Sequence, residues 1–327
     1  MVDVNVVRYH EELREKWEKF LSRTVNGTFL QSRAFLEYHK DRFVDHSLLF
    51  YRGSELIAIC PAIEREGENG KEFISHQGST FGSILVGTDF YTISNVGELV
   101  NALDEYLKAN GFTYALIKNT GELFTKERGD LLDYSFFHND YHHYDELSFG
   151  MPLANVDPND VPKSFRSKTR NLFKSSLKGG LVFRELANDE EIKEFYSILE
   201  ISLARHETKP VHSLEEIYDL CHNRIPTYVK FYGAFNGEQM VSGSMVFDFG
   251  DTFHTQYLAS LPEFLYLKSM DFLVGNLVIE AKNKNYKNFS FGISTEERGK
   301  VLNENLAKFK EGFGATFYNN KTFYKHF

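Results

Sequence analysis

Lys310 stands in the run FKEGFGATF, between Phe309 and Glu311-Gly312. A lysine flanked by aromatics and glycines is partly shielded from water, beside a backbone that can be approached closely. A cation so placed can stabilise negative charge growing on an oxygen. The plain alternative is a surface lysine before a glycine turn. The run KSFRSKTRNLFKSSLKGG carries Lys163, Arg166, Lys168, Arg170, Lys174 and Lys178 without one acidic residue. On a helix, Arg166 and Arg170 share a face, and their guanidinium forks suit a phosphate. The alternative is a solvated basic face. His76, Gln77 and Ser79 lie in the glycine-punctuated run ISHQGSTFGS, which reads as a pocket-lining loop, or as a loop with a structural histidine. Arg205 and His206 follow a helix, facing a cleft or complementing the helix dipole. His138 and His142 have metal-ligand spacing only if helical. Their segment is aromatic and rich in Asp and Asn, so no metal site is expected.

These residues need elements to hold them. LLFYRGSELIAICPAIE reads as strand, turn at Arg52-Gly53, strand; VKFYGAFNGEQMVSGSMVFDF repeats this with its turn at Asn236-Gly237. Each half then has a helix followed by a strand: ELVNALDEYLKANGFTYALIK, with Leu99, Leu103 and Leu107 at helical spacing, and FLVGNLVIEAKNKNYKNFSFG. The spacing predicts two copies of one α/β unit. Further helices are expected over Glu11 to Leu21, over Asp189 to Ala204, and from Ser213, where Ser213 and Glu216 form a capping box. The proline-rich stretch MPLANVDPNDVP predicts a linker at 151–162 between domains at 1–150 and 163–327.

Composition narrows the classes. The chain has 327 residues, enough for two domains with their own cores. Its net charge of -9 disfavours general DNA binding, although a local basic patch can still serve. No run reaches the ~18 apolar residues of a membrane helix, and the start lacks a signal-peptide core. Cys60 and Cys221 are far apart, which fits reduced thiols in the cytoplasm. There is no GxxxxGK[ST], GxGxxG or GxSxG motif.

Together these segments resemble the Fem (FemABX) family and related GNAT-like acyltransferases of the BioF-two-like type, over almost the whole chain. The resemblance rests on GTFLQSRAFLEYHKDRF, ISHQGSTFGSIL, FRSKTRNLFKSSLKGGL, AFNGEQMVSGSMVF, QYLASLPEF, NFSFGIS and FKEGFGATF, in that order. It implies an α/β (α+β) fold of two tandem GNAT-like domains, each a mixed sheet flanked by helices. It implies a cytoplasmic acyltransferase that forms an amide on an amino group of a nucleotide- or lipid-linked sugar or glycopeptide precursor of the cell envelope. Acyl-CoA or aminoacyl-tRNA would be the donor, with no tightly bound cofactor. Lys310 of the Phe-Lys pair would lie at the acyl-transfer site and stabilise the oxyanion. His76 or His206 would take the proton, unless the substrate does. Arg166, Lys168, Arg170, Arg205, Gln77, Ser79, Gln256 and Phe309 are the expected substrate-binding positions. The pyrophosphate loop of ordinary GNAT enzymes has no counterpart in LPEFLYLKSM, residues 261–270, which lacks glycine. That gap favours tRNA as donor; the net charge and the absence of a long helical arm favour CoA. A non-catalytic sugar- or peptide-binding protein on the same scaffold is the rival reading.

Overall fold

The structure is a computed structural model that describes residues 4–126, 130–205 and 207–327. The chain forms two compact units, Met1–Glu146 with Asn319–Phe327, and Leu147–Tyr318.

The first unit contains β1 (Val4–Arg8), α1 (Arg14–Leu21), β2 (Leu48–Arg52), β3 (Glu55–Cys60), β4 (Ile63–Gly67), β5 (Gly70–Ser75), β6 (Leu85–Val86), α2 (Ile93–Ala109), β7 (Phe112–Lys118) and α3 (Asp130–His138). β1, β2, β3 and β6 form one antiparallel sheet. β4 pairs antiparallel with β5, and β5 runs parallel to β7, with α2 as the crossover. α2 exists because Val96, Leu99, Val100, Leu103 and Leu107 recur on one stripe, and all five are fully buried.

The second unit takes up the C-terminal half of β8 (His142–Pro152), then α4 (Ser167–Ser176), β9 (Val182–Glu185), α5 (Asp189–Ala204), α6 (Leu214–Tyr218), β10 (Val229–Asn236), β11 (Gln239–Asp248), β12 (Thr252–Ser260), α7 (Ser269–Asn283), β13 (Asn288–Ile293) and α8 (Glu304–Gly312). Its sheet runs β9-β10-β11-β12-β13 and ends on residues 148–152 of β8. β12 and β13 are its parallel pair, linked by α7. The capping box at Ser213 and Glu216 opens α6 as read from sequence.

The repeat is visible residue by residue. Gly53 and Gly237 occupy the same turn position, both at φ +62°, where glycine carries no steric penalty. In each hairpin the second strand bulges at the same distance from the turn, at Ile57 and at Val241. Both units then add a parallel β-α-β crossover, in the second within the sheet of the hairpin and in the first within a separate sheet, so mixed sheets flanked by helices recur in both.

The boundaries lie elsewhere than composition suggests. Leu153, Val156 and Val161 of the expected 151–162 linker are buried in the core of the second unit, against residues such as Phe165 and Leu277. The last residues, 319–327, belong to the first unit. There Thr322 to His326 of β14 (Thr316–His326) pair with β7, and Phe323 stacks on Phe136 at 5.0 Å. Proline and Asn/Asp content marks irregular backbone; it does not show whether that backbone is buried.

α4 reaches the second core through Phe173, which lies over Gly275 of α7. A Cβ at residue 275 would sit 2.3 Å from Phe173 Cδ2. Gly275→Ala should therefore lower stability by about 1–3 kcal/mol through overpacking. This outweighs the gain of about 1 kcal/mol in helix propensity. Urea denaturation checks it; an unchanged or raised midpoint would show that Phe173 yields freely.

Candidate active site

β12 and β13 stay paired only from Thr252–Asn288 to His254–Ser290 and then part. Each carries a bulge at that level. In β12, Tyr257 faces Met245 and Thr255 faces Val246, so Gln256 is the extra residue. In β13, Phe291 is skipped between Ser290 and Gly292. Bulges kink a strand and re-aim its side chains. Gly292 takes φ +72°, and a Cβ there would lie 3.3 Å from His254 Cε1. Where the strands separate, their facing backbone groups are free to bind something other than each other.

Lys310 enters this point from α8. It is 3% exposed, and Nζ donates to the carbonyls of Gly292 at 3.0 Å and Ile293 at 2.6 Å. The Phe149 ring centroid lies 5.8 Å away. Burial pushes the amine down from its ordinary 10.5 to about 7. As an ammonium it has three N–H groups, so one remains beyond the two carbonyls; as a neutral amine it has both N–H groups used and a lone pair. Beside it, His254 Nδ1 lies 3.0 Å from Ser290 Oγ. Burial, and then the charge of Lys310, hold His254 down to about 4, against a hydrogen bond with Gln256. His254 is therefore neutral near pH 7.

The basic run is fastened to the lysine helix. The Arg166 N–H donates to Gly312 O at 2.9 Å, and its guanidinium pairs with Glu311 at 3.1 Å. A Cβ at Gly312 would lie 2.3 Å from Thr169 Oγ1, so α4 and α8 meet closely. Arg166 precedes α4 as its N-cap, and Arg170 Nη1 donates to Lys163 O at 3.3 Å. Burial raises the pKa of Asp271 in the first turn of α7, against the charges of Lys268 and, less strongly, of the exposed Lys168. After β12 the chain makes a turn over Pro262–Leu267, and Lys268 takes φ +55° before α7 begins. Ser269 Oγ, at the first residue of α7, is buried and has no hydrogen-bond partner.

The other expected positions fall as follows. Gln256 touches His254, as above. Phe309 packs its ring on Phe313 at 5.2 Å, a core contact. Arg205 is the exposed C-cap of α5, and His206 lies outside the described residues. His76, Gln77 and Ser79 belong to the first unit. His76 is buried and burial lowers it to about 4; Gln77 accepts from Arg65 at 3.2 Å; Ser79 O accepts from Lys118 Nζ at 3.0 Å. His138 stacks on Tyr134 from α3, and His142 and His143 sit in β8, so the helical metal spacing is not formed. Among the described residues no group of three or more His, Cys, Asp or Glu could hold a metal ion.

His254, Ser290 and Gly292 were not singled out from sequence. The signal available was a histidine in the strand before a long helix, with Ser-Phe-Gly in the strand after it.

Residues 161–300 match the family model of the acetyltransferase (GNAT) domain. No curated protein matches the chain in sequence. Among solved structures, the chain is similar to FemX, at 12% identity and TM-score 0.72 over 98% of this chain and 96% of that one. It is similar to a C-terminal domain assigned to a lysylphosphatidylglycerol synthetase of Agrobacterium fabrum, at 12% identity and TM-score 0.61 over 97% and 92%. A tandem GNAT protein from the clavulanic acid biosynthesis pathway matches at 8% identity and TM-score 0.57 over 99% and 98%. At these identities the likeness is one of fold, and it is the tandem GNAT, Fem-like fold that the sequence motifs imply. The residues that match the acetyltransferase (GNAT) domain model all lie in the second unit. No helix among the described residues is long and apolar enough to cross a membrane.

The Lys310 pKa has a consequence for stability. An unfolded lysine titrates near ~10.4, whereas the folded one does so at about 7. Between these values the unfolded state holds the extra proton, so stability rises with pH. The stability difference between wild type and Lys310→Met should shift in favour of wild type by on the order of 1 kcal/mol per pH unit from pH 7.5 to 9.5. Denaturation at several pH values checks this, and parallel curves would show that the folded-state Lys310 is not lowered below that window.

Proposed function

We propose that this acyltransferase forms an amide on an amino group of a nucleotide- or lipid-linked sugar or glycopeptide precursor of the cell envelope, with acyl-CoA as donor. The observation that carries the reading is Lys310 Nζ held at the parting of β12 and β13. An acyl group lying between the separated strands would present its carbonyl oxygen to the spare N–H of the ammonium. The acceptor amine attacks the acyl carbon, a C–N bond forms, and the oxygen becomes an oxyanion that Lys310 stabilises. Collapse breaks the bond to the leaving thiolate, and the amine proton passes to solvent, to the substrate or to the thiolate. No protein nucleophile is required. Neutral His254 is too weak a base to take the proton directly, and we assign it to orienting the site through Ser290 and Gln256. His76 and His206 are not assigned the base role, since nothing described links either of them to Lys310.

For the donor, the N–H groups of the first turn of α7 have no helical partners, and the Ser269 hydroxyl there has none either. Such a terminus favours an anion, so a phosphate-bearing donor can be held without a glycine loop, with Arg166 at the start of α4 and Lys168 and Arg170 on it supplying positive charge in the same unit. Similarity in fold to FemX and to a lysylphosphatidylglycerol synthetase domain supports an envelope precursor as acceptor. Burial, which brings the Lys310 amine down to about 7, also suits it to act as a base, a second role for the same residue.

Acyl-CoAs and nucleotide-linked amino sugars, screened by product mass, test the activity. Aminoacyl-tRNA as the only working donor would replace CoA, and binding without turnover would support the binding-protein reading. Lys310→Met should lower kcat by on the order of 10²–10³ with KM changed much less. The ratio of wild-type to variant kcat separates the two roles, because the ionisation of the acceptor cancels. It should shrink as pH rises through about 7 if the ammonium acts. It should grow if the free amine acts as base.

A further inference from the structure

The far end of α4 makes an exposed surface outside the site assigned above. Leu177, just past the helix, is 52% exposed. Lys174 and Lys178 flank it, both exposed. Beside them lies the turn Pro262–Leu267: Lys268 Nζ donates to Ser175 Oγ at 2.6 Å, and Leu267 Cδ2 is 3.6 Å from where a Cβ of Gly179 would be. This turn buries Phe264 and Leu267 against the core but presents Leu265, 49% exposed, and Tyr266, 72% exposed. Glu263 is the one acidic residue on the turn, and the 163–178 run has none. The patch is therefore basic and apolar together, in a chain whose net charge is -9.

We propose that this patch is a docking surface for an anionic lipid bilayer. Lysines near such a surface are drawn by its negative potential. Exposed Leu and Tyr side chains gain by entering the headgroup boundary, where the tyrosine keeps its hydroxyl in water. Nucleic acid would use the lysines equally well, but it gives Leu177 and Leu265 nothing to bury against. The proposal stands apart from the acyl-transfer reading; where both hold, the bilayer brings the enzyme to the lipid-linked class of acceptor.

The test is co-sedimentation of the full chain with phosphatidylcholine vesicles, with and without phosphatidylglycerol. Binding should require phosphatidylglycerol and weaken as salt rises. Lys174→Glu with Lys178→Glu should reduce it by on the order of tenfold or more. Leu177→Ser with Tyr266→Ser should also reduce it, with every charge in place. Both pairs are exposed, so thermal unfolding and turnover of a water-soluble acceptor should not change. Absence of binding to the anionic vesicles overturns the proposal. Binding indifferent to Leu177→Ser/Tyr266→Ser and displaced by bulk tRNA also overturns it, and would identify a polyanion site instead.

Discussion

The second unit is organised around one buried lysine amine and the two carbonyls that receive it. Taking a lysine out of water is costly unless its donors are satisfied. Here the acceptors, Gly292 O and Ile293 O, exist as acceptors because β13 has left its partner strand. That departure needs the bulge at Phe291 and the left-handed backbone of Gly292. The reach of Lys310 needs α8 pressed inwards, which the bare Cα of Gly312 permits by admitting Thr169. The basic run is fixed in turn by Arg166, bound to the same helix end through both backbone and side chain.

The first unit shows what the same architecture does when it closes. β5 and β7 remain paired to Ser75–Ile117. The chain then folds over the strand ends: Gly82 N–H donates to Lys118 O at 2.9 Å and Ser83 N–H to Ser75 Oγ at 2.7 Å. A Cβ at Gly82 would be 2.1 Å from Ser75 O, so the loop leaves no room there. A histidine and a lysine, His76 and Lys118, stand at this end too, and Lys118 Nζ also donates to a carbonyl, that of Ser79. The two copies share a plan but differ in whether the strand ends are left open, and the segment that matches the GNAT domain, residues 161–300, falls in the second copy and stops before Lys310.

How much of this was legible depends on how local each signal is. Asp189–Ala204 and the Ser213–Glu216 box were readable because their hydrogen bonds close within a few residues. Gly53 and Gly237 were readable because a turn imposes its own residue type. Lys310 was visible through its neighbours, but its depth was not, since that comes from strands far away in sequence. His254 matters because it is the last residue paired with β13, and pairing across α7 leaves no mark on the histidine itself. The stretch at 151–162 misled because three apolar side chains, Leu153, Val156 and Val161, outweigh its prolines in deciding where it packs.

The return of residues 319–327 to the first unit sets an order of events during synthesis. The second unit has all its residues once Tyr318 is made, while the first still lacks the strand that pairs with β7. Until then β7 offers one edge of unpaired backbone and Phe136 one bare ring face, the kind of surface that seeks other chains. Domains generally fold in the order they emerge from the ribosome; here the unit begun first of the two is finished after the other, and the nascent chain carries its open edge through the translation of the whole second unit.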